Sequence, residues 1–205
     1  DTAVGSERYK VTCKTIGGHS YLNFGNPNAI AYMSKLINKL DEQEVPKIND
    51  VKTTYNFGVI NGGTSVNTIA QDVSMLYEYR SASQKAIEIM AGNFEKAINE
   101  TKCKEASFEI EVVGKRPGNG AIDCAKEDAL VNKCFEAIAK VTGDKVLKRR
   151  ASSTDSNIPL SLGIPAVTFG LVLGDGEHTR EEWIKVSSLA VGLEIGLNLF
   201  LTYFN

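Results

Sequence analysis

The chain holds two histidines in 205 residues, so each can be weighed singly. His19 lies in Gly17-Gly18-His19-Ser20 and His178 in Gly176-Glu177-His178-Thr179. Imidazole can donate, accept or ligate a metal near neutral pH. Glycines beside it let backbone come close to a ligand, and function concentrates in such loops. An ordinary solvent-exposed histidine is the plain alternative for both. With Glu177 and Asp155 as the nearby candidates, no three metal ligands occur at a recognised spacing. Arg80 and Asn67 offer a second chemistry, since a guanidinium takes a carboxylate bidentately and an amide can hydrogen-bond beside it. Standing alone, they would be a surface arginine and a turn asparagine. The patterns G-x-S-x-G, H-E-x-x-H, the P-loop and G-x-G-x-x-G after a strand do not occur.

The elements that must position these residues follow from periodicity. Arg8 to Ile16 is rich in β-formers and ends in Gly17-Gly18, which predicts a strand leading to His19. Ala29, Ile30, Met33, Leu36, Ile37 and Leu40 repeat at helical spacing, with Asn26 as the cap and Pro27 at the first helical position. Val51 to Ile60 reads as a strand closed by Asn61-Gly62-Gly63. Gln71 to Tyr79 alternates and carries Arg80 at its end. Ser83 to Ile98 is a second amphipathic helix, and Ser107 to Val113 alternates again. Residues 8–113 thus run strand, helix, strand, strand, helix, strand. This split βαβ order predicts a four-stranded antiparallel sheet with two helices on one face.

After the segment from Gly114 to Gly120 the rhythm changes. A helix is predicted over Glu127 to Val141, a short strand near Val146, and a polar loop at Thr154-Asp155-Ser156-Asn157. Leu160 to Leu162 and a buried strand, Ala166 to Gly170, follow. The loop holding His178 then leads into a terminal helix with Trp183, Val186, Leu189, Ala190, Leu193, Leu197 and Phe200 on its apolar face. This alternation suggests α/β layering, with the helix buried against a sheet. Glu194 and Asn198 within the apolar stretch Val186 to Phe204 argue against a membrane span, a tail anchor being the lesser alternative. A helix so apolar needs cover on several sides, and ninety residues do not supply it. The second half therefore reads as part of a larger domain.

Composition narrows the partners. Twenty-three basic against 25 acidic residues, net charge -2, lack the footprint of a nucleic-acid or anionic-membrane binder. Four cysteines, none as C-x-x-C, read as buried thiols of a cytosolic protein. The chain begins at Asp1 and not at methionine, so a lost signal peptide would leave no trace.

The order of the pieces resembles the M20 family of zinc metallopeptidases, which includes aminoacylases, carboxypeptidases and di- and tripeptidases. The resemblance rests on Gly17-Gly18-His19-Ser20, Phe24-Gly25-Asn26-Pro27, Asn61-Gly62-Gly63 with Asn67-Thr68-Ile69, and Tyr77-Glu78-Tyr79-Arg80. It continues through Lys115-Arg116-Pro117, Ser153 to Asn157, Gly163-Ile164-Pro165 and Gly176-Glu177-His178-Thr179. It implies an α/β chain (an α+β lid) in which residues 1–115 form the lid or dimerisation domain. Residues 116–205 would be the C-terminal portion of the catalytic domain. It also implies that His19 stabilises the oxyanion, often in the partner subunit's site, and that Asn67 and Arg80 bind the substrate backbone or carboxylate. Thr154, Asp155 and Asn157 would line the pocket, and His178 would be the last ligand of a two-zinc site. Ala70 stands where proline is common, Lys115 replaces a frequent acidic residue, and Glu78 a frequent aspartate.

The family's His-x-Asp motif, bridging aspartate, Glu-Glu pair and further acidic ligand belong upstream of the lid, and this sequence has none of them. The chain is therefore expected to be a fragment, inactive alone, of a peptidase acting on small peptides and pairing through its lid. A deacylase or desuccinylase of the same family and a stand-alone binding or dimerisation module are the alternatives. The glycine-histidine and Phe-Gly-Asn-Pro details lean towards di- or tripeptidases.

Overall fold

Alternation along residues 5–14 and 72–81 sends every second side chain to the same side of a strand, and helices of matching amphipathicity follow each. In the computed structural model, which describes residues 2–48, 50–146 and 148–202, the elements run β1 (Thr2–Ala3), β2 (Gly5–Lys14), β3 (Gly18–His19), α1 (Ala29–Asp41) and β4 (Thr53–Gly62). Then come β5 (Thr68–Ile69), β6 (Asp72–Ser81), α2 (Gln84–Thr101), β7 (Ser107–Arg116) and α3 (Cys124–Thr142). Last are β8 (Ala151–Ser152), α4 (Asn157–Ser161), β9 (Gly174–Asp175), β10 (Trp183–Ile184) and α5 (Ser188–Leu201). The chain divides into two compact units: Val4–Asn119 is one, and the chain on either side of it makes the other.

In the unit Val4–Asn119 the sheet order is β4-β6-β2-β7, antiparallel throughout, as the split βαβ reading predicts. Tyr9, Val11 and Cys13 on β2 and Val73, Met75, Tyr77 and Tyr79 on β6 face α1 and α2 and are buried. Met33, Leu36 and Leu40 of α1 and Met90, Phe94 and Ile98 of α2 close this core. Phe94 stacks on Tyr9 at 4.7 Å and on Tyr77 at 5.5 Å, tying α2 to the two central strands. Asn28, not Asn26, caps α1, its Oδ1 accepting from the backbone N–H of Ile30 and Ala31. Asn26 instead donates its side-chain amide to the Gly17 carbonyl at 2.7 Å, so Pro27 lies outside the helix. Ser83, read as the first residue of the second helix, is its cap, the Oγ accepting from the Ala86 N–H.

Glu7 sits at the covered end of this core. The hydroxyls of Tyr9 and Tyr79 both donate to its Oε2, and Lys115 donates to Oε1 at 2.9 Å. Burial alone would raise its pKa, but the bonds from Tyr79, Tyr9 and Lys115 outweigh burial and hold it below the ordinary 4.5. A depressed carboxylate contributes stability that is present above 4.5 and lost as pH falls through the folded value. Glu7→Ala leaves two buried hydroxyls without their acceptor and is expected to cost about 2 kcal/mol at pH 7. That difference should shrink below pH 4.5, which paired thermal melts at pH 7 and pH 3.5 would show.

In the other unit, α3 is capped by Asp123, closed by Gly143 in the left-handed region, and packs on α5. β1 pairs in parallel with β8, and β9 pairs antiparallel with β10. Several expectations change here. The strand predicted near Val146 falls at Ala151–Ser152, and Leu160 belongs to the short helix α4. No strand forms over 166–170, because the described pairings of this unit are two-residue ladders that offer no long edge to join. Trp183 lies in β10, so the terminal helix starts only at Ser188, and the predicted end at Phe204 lies outside the described residues. α5 is not buried against a sheet: Leu193, Leu197 and Phe200 are 64, 52 and 62% exposed. Cys13 and Cys134 are buried as predicted, whereas Cys103 and Cys124, just past α2 and at the start of α3, are exposed. Among the described residues no helix is long and apolar enough to cross a membrane.

Candidate functional site

Gly17 brings the chain out of β2 with φ +61°, and a Cβ there would lie 2.6 Å from the Ile69 carbonyl. Glycine is what lets β3 close onto β5. In that pairing Gly18 faces Ile69 and His19 faces Thr68, while the Ser20 N–H donates to the Asn67 carbonyl at 2.9 Å. His19 and Asn67 are therefore brought together at one end of the sheet. Asn23 braces the loop: its Oδ1 accepts from the His19 N–H, and its own N–H donates to the His19 carbonyl, both at 2.9 Å.

The His19 ring is oriented by its own turn. Nδ1 accepts from the backbone N–H of Tyr21 at 3.3 Å and of Leu22 at 3.4 Å. An accepting Nδ1 assigns the proton to Nε2, so a neutral His19 presents an N–H donor from an exposed ring. Around it Tyr21, Leu22 and Phe24 are 85, 76 and 90% exposed, an apolar surface unusual for a loop facing only water. Asn67 is exposed, its Oδ1 accepting from the Ser65 hydroxyl at 2.7 Å.

Arg80 is not at this end. β6 runs from Asp72, paired with Lys14, to Arg80, paired with Ser6. That separation is roughly 27 Å at the rise of an antiparallel strand. Arg80 lies where the chain enters and leaves this unit, on the sheet face away from the helices. Glu78 holds it there: Arg80 Nε and Nη2 both donate to the Glu78 carboxylate at 2.9 Å, and Arg8 Nε donates to Oε2 at 3.1 Å. Burial would raise the Glu78 pKa, but Arg80 first and Arg8 second hold it down. Sequence reasoning passed over Glu78 and Arg8 as partners. The available signal was that a carboxylate two residues before Arg80 must share its strand face.

In the other unit Asn157 is buried, and its Oδ1 accepts from the Thr154 N–H at 2.8 Å. Asn157, expected with Thr154 and Asp155 to line the pocket, closes its own turn through this bond, and Asp155 is the exposed side chain there. The Thr154 and Ser156 hydroxyls both meet that of Thr168, at 2.9 and 2.6 Å, a link the sequence did not suggest. His178 is exposed in the left-handed region at φ 66°, its N–H donating to Glu182 Oε2 at 3.3 Å. Among the described residues no three His, Cys, Asp or Glu side chains come together as a metal site. The donors of this chain thus do not by themselves fit the two-zinc centre that the resemblance implies, and no chemical step is derived through one.

The peptidase dimerisation domain of the M20 family matches residues 2–105. The uncharacterized protein YqjE of Bacillus subtilis is 29% identical over 172 residues, 82% of this chain and 43% of that protein. The aminopeptidase PepT of Bacillus cereus superposes with a TM-score of 0.69 at 23% identity, over 97% of this chain and 52% of its own. A tripeptidase of Staphylococcus aureus gives 0.67 at 23% identity, over 97% of this chain and 51% of its own. At these identities the structures share the fold, and the chain spans about half the length of the proteins it matches. By the match over residues 2–105, the chain belongs to the M20 peptidase family and carries its dimerisation domain.

Proposed function

We propose that this chain is the lid (residues 1–115) and C-terminal catalytic portion (residues 116–205) of a hydrolase that cleaves amide bonds in small peptides as a homodimer. One observation carries the reading: His19 and Asn67 lie at the separate β3–β5 ladder beyond the Lys14–Asp72 end of the four-stranded sheet, and Arg80 lies at the opposite end of that sheet. A fully extended tripeptide spans at most about 11 Å, so it cannot touch both ends in one protomer. Two-fold pairing of lids resolves this, His19 and Asn67 reaching the partner's site while Arg80 serves its own. The exposed Tyr21, Leu22 and Phe24 beside His19 support a covered surface there.

In this arrangement the Nε2–H of His19 donates to the carbonyl oxygen as charge develops on it, which stabilises the tetrahedral state more than the ground state. Arg80, with two nitrogens fixed on Glu78, offers Nη1 to the substrate carboxylate, and Asn67 bonds its backbone. Thr154, Asp155 and Asn157 are the residues of the C-terminal portion offered to the substrate, and His178 is the residue offered to a zinc ion.

The test is hydrolysis by the gene product that carries this chain, assayed against di- and tripeptides and against N-acetyl and N-succinyl amino acids. The reading expects peptides to be cleaved with the larger kcat/KM, by a species that sediments as a dimer. Cleavage confined to the acylated amino acids would replace it with a deacylase. No hydrolysis at all would leave a binding or dimerisation module.

A further inference from the structure

A buried carboxylate has no part in any of the roles above. Glu127 stands in the first turn of α3 and is 7% exposed, on the helix face that also buries Val131, Cys134 and Ala137. Its Oε2 accepts from the Ala166 N–H at 3.0 Å, while Oε1 is buried with no partner among the described residues. The helix dipole favours an acid in a first turn, but an exposed one gains as much. Burying a carboxylate with one oxygen unpaired is costly, and an apolar side chain of that size would suit this face without the cost. Stability alone does not explain Glu127.

The bond to Ala166 does. Residues 164–170 form no strand, so no ladder fixes their backbone. The Ile164 N–H donates to the Pro159 carbonyl at 2.9 Å, and the Ala166 N–H goes to Glu127. Two residues further on, the Thr168 hydroxyl meets those of Thr154 and Ser156 at 2.9 and 2.6 Å. Thr154 and Ser156 flank the exposed Asp155. A bonded path therefore runs from the Glu127 carboxylate through the main chain of residues 166–168 to the loop that holds Asp155.

We infer that Glu127 is a positioning residue for the loop Thr154–Asn157. It fixes Ala166, and with it the Thr168 hydroxyl that holds Thr154 and Ser156 on either side of Asp155. The inference rests on the peptide-hydrolase reading for what this loop does, and it names the group that sets the loop's geometry. Glu127 itself touches no substrate.

The test has one arm without hydrolysis and one with it. In the full chain labelled with ¹⁵N, Glu127→Met keeps the length of the side chain and removes the acceptor. It should shift the amide signals of Thr154, Asp155 and Ser156 and speed exchange of the Ala166 amide by about tenfold or more. Glu127→Gln keeps a carbonyl acceptor and should leave those signals near the wild type. Thr168→Val should move the same loop signals without changing Ala166 exchange, and Thr168→Ser should restore them. Should Glu127→Met fail to fold, Glu127→Asp, which withdraws the carboxylate by one methylene, takes its place with the same expected result. In the gene product that carries this chain, Glu127→Met and Thr168→Val should each raise KM for a tripeptide by about tenfold and change kcat far less. Combining them should add little, as for residues on one path. Unmoved loop signals in a folded Glu127 or Thr168 variant would overturn the inference. So would moved signals with KM unchanged in an active enzyme, the result a merely structural carboxylate gives. Loop signals that move in a protein without hydrolytic activity keep the inference and sink the hydrolase reading. Hydrolysis with unmoved loop signals does the reverse.

Discussion

Gly192→Ala unseats α5. A Cβ at this position would stand 1.7 Å from the Leu171 carbonyl oxygen and 2.6 Å from its carbon. The obstruction is backbone, so no rotamer change relieves it, and either the helix or the segment 170–173 must move. Alanine's better helix propensity returns about 1 kcal/mol. Overpacking against main chain costs about 3 kcal/mol or more, which decides the sign. Gly192 and Ile195 are among the few α5 residues that are buried, so little else holds the helix. Trp183, the single tryptophan, lies in the same unit and makes its fluorescence a local reporter. The tryptophan-monitored midpoint should fall by several degrees in Gly192→Ala. Leu193→Ala, at a position 64% exposed, should stay within about 0.5 kcal/mol of the parent.

His19→Ala has the largest expected effect on activity. The ring is exposed and touches its own loop through two long backbone contacts to Nδ1, so its removal should leave folding nearly unchanged. The donor at Nε2 is what disappears. Loss of one oxyanion donor lowers kcat by about 10²–10³-fold. Because the bond strengthens only as charge develops, KM should move far less than kcat. His19→Gln, which keeps an N–H donor, should recover part of the loss. A variant that bound substrate poorly but turned over normally would assign His19 to ground-state binding instead.

The dimerisation domain was legible because its residues obey one period per element. Val73, Met75, Tyr77 and Tyr79 alternate onto a helix-covered face, and Ser83 stands at the cap of α2. The cap of α1 was read two residues early because Asn26-Pro27 and Asn28 both fit a helix start, and the competing bond from Asn26 to Gly17 is not a local signal. In the unit that holds Ala166 to Gly170 periodicity misled: the segment is apolar enough for a buried strand, yet a strand needs an edge to pair with, and none of length is present among the described residues of that unit. The site residues were visible by type, but their placement was not. Thirteen positions separate Asn67 from Arg80 in sequence, and only the straight run of β6 puts the sheet's length between them. Buried Asn157 shows the same limit, since its residue type does not reveal that its Oδ1 closes the turn onto the Thr154 N–H.

Subunit mixing tests the central claim most directly. His19→Ala and Arg80→Ala are prepared separately in the gene product that carries this chain, each inactive as a homodimer, then mixed under conditions that exchange subunits. If His19 acts across the two-fold axis and Arg80 within its own protomer, each mixed dimer regains one intact site. Random exchange should then restore about a quarter of the wild-type rate. No recovery, with exchange demonstrated by mass-tagged subunits, would place both residues in one protomer's site and contradict the account.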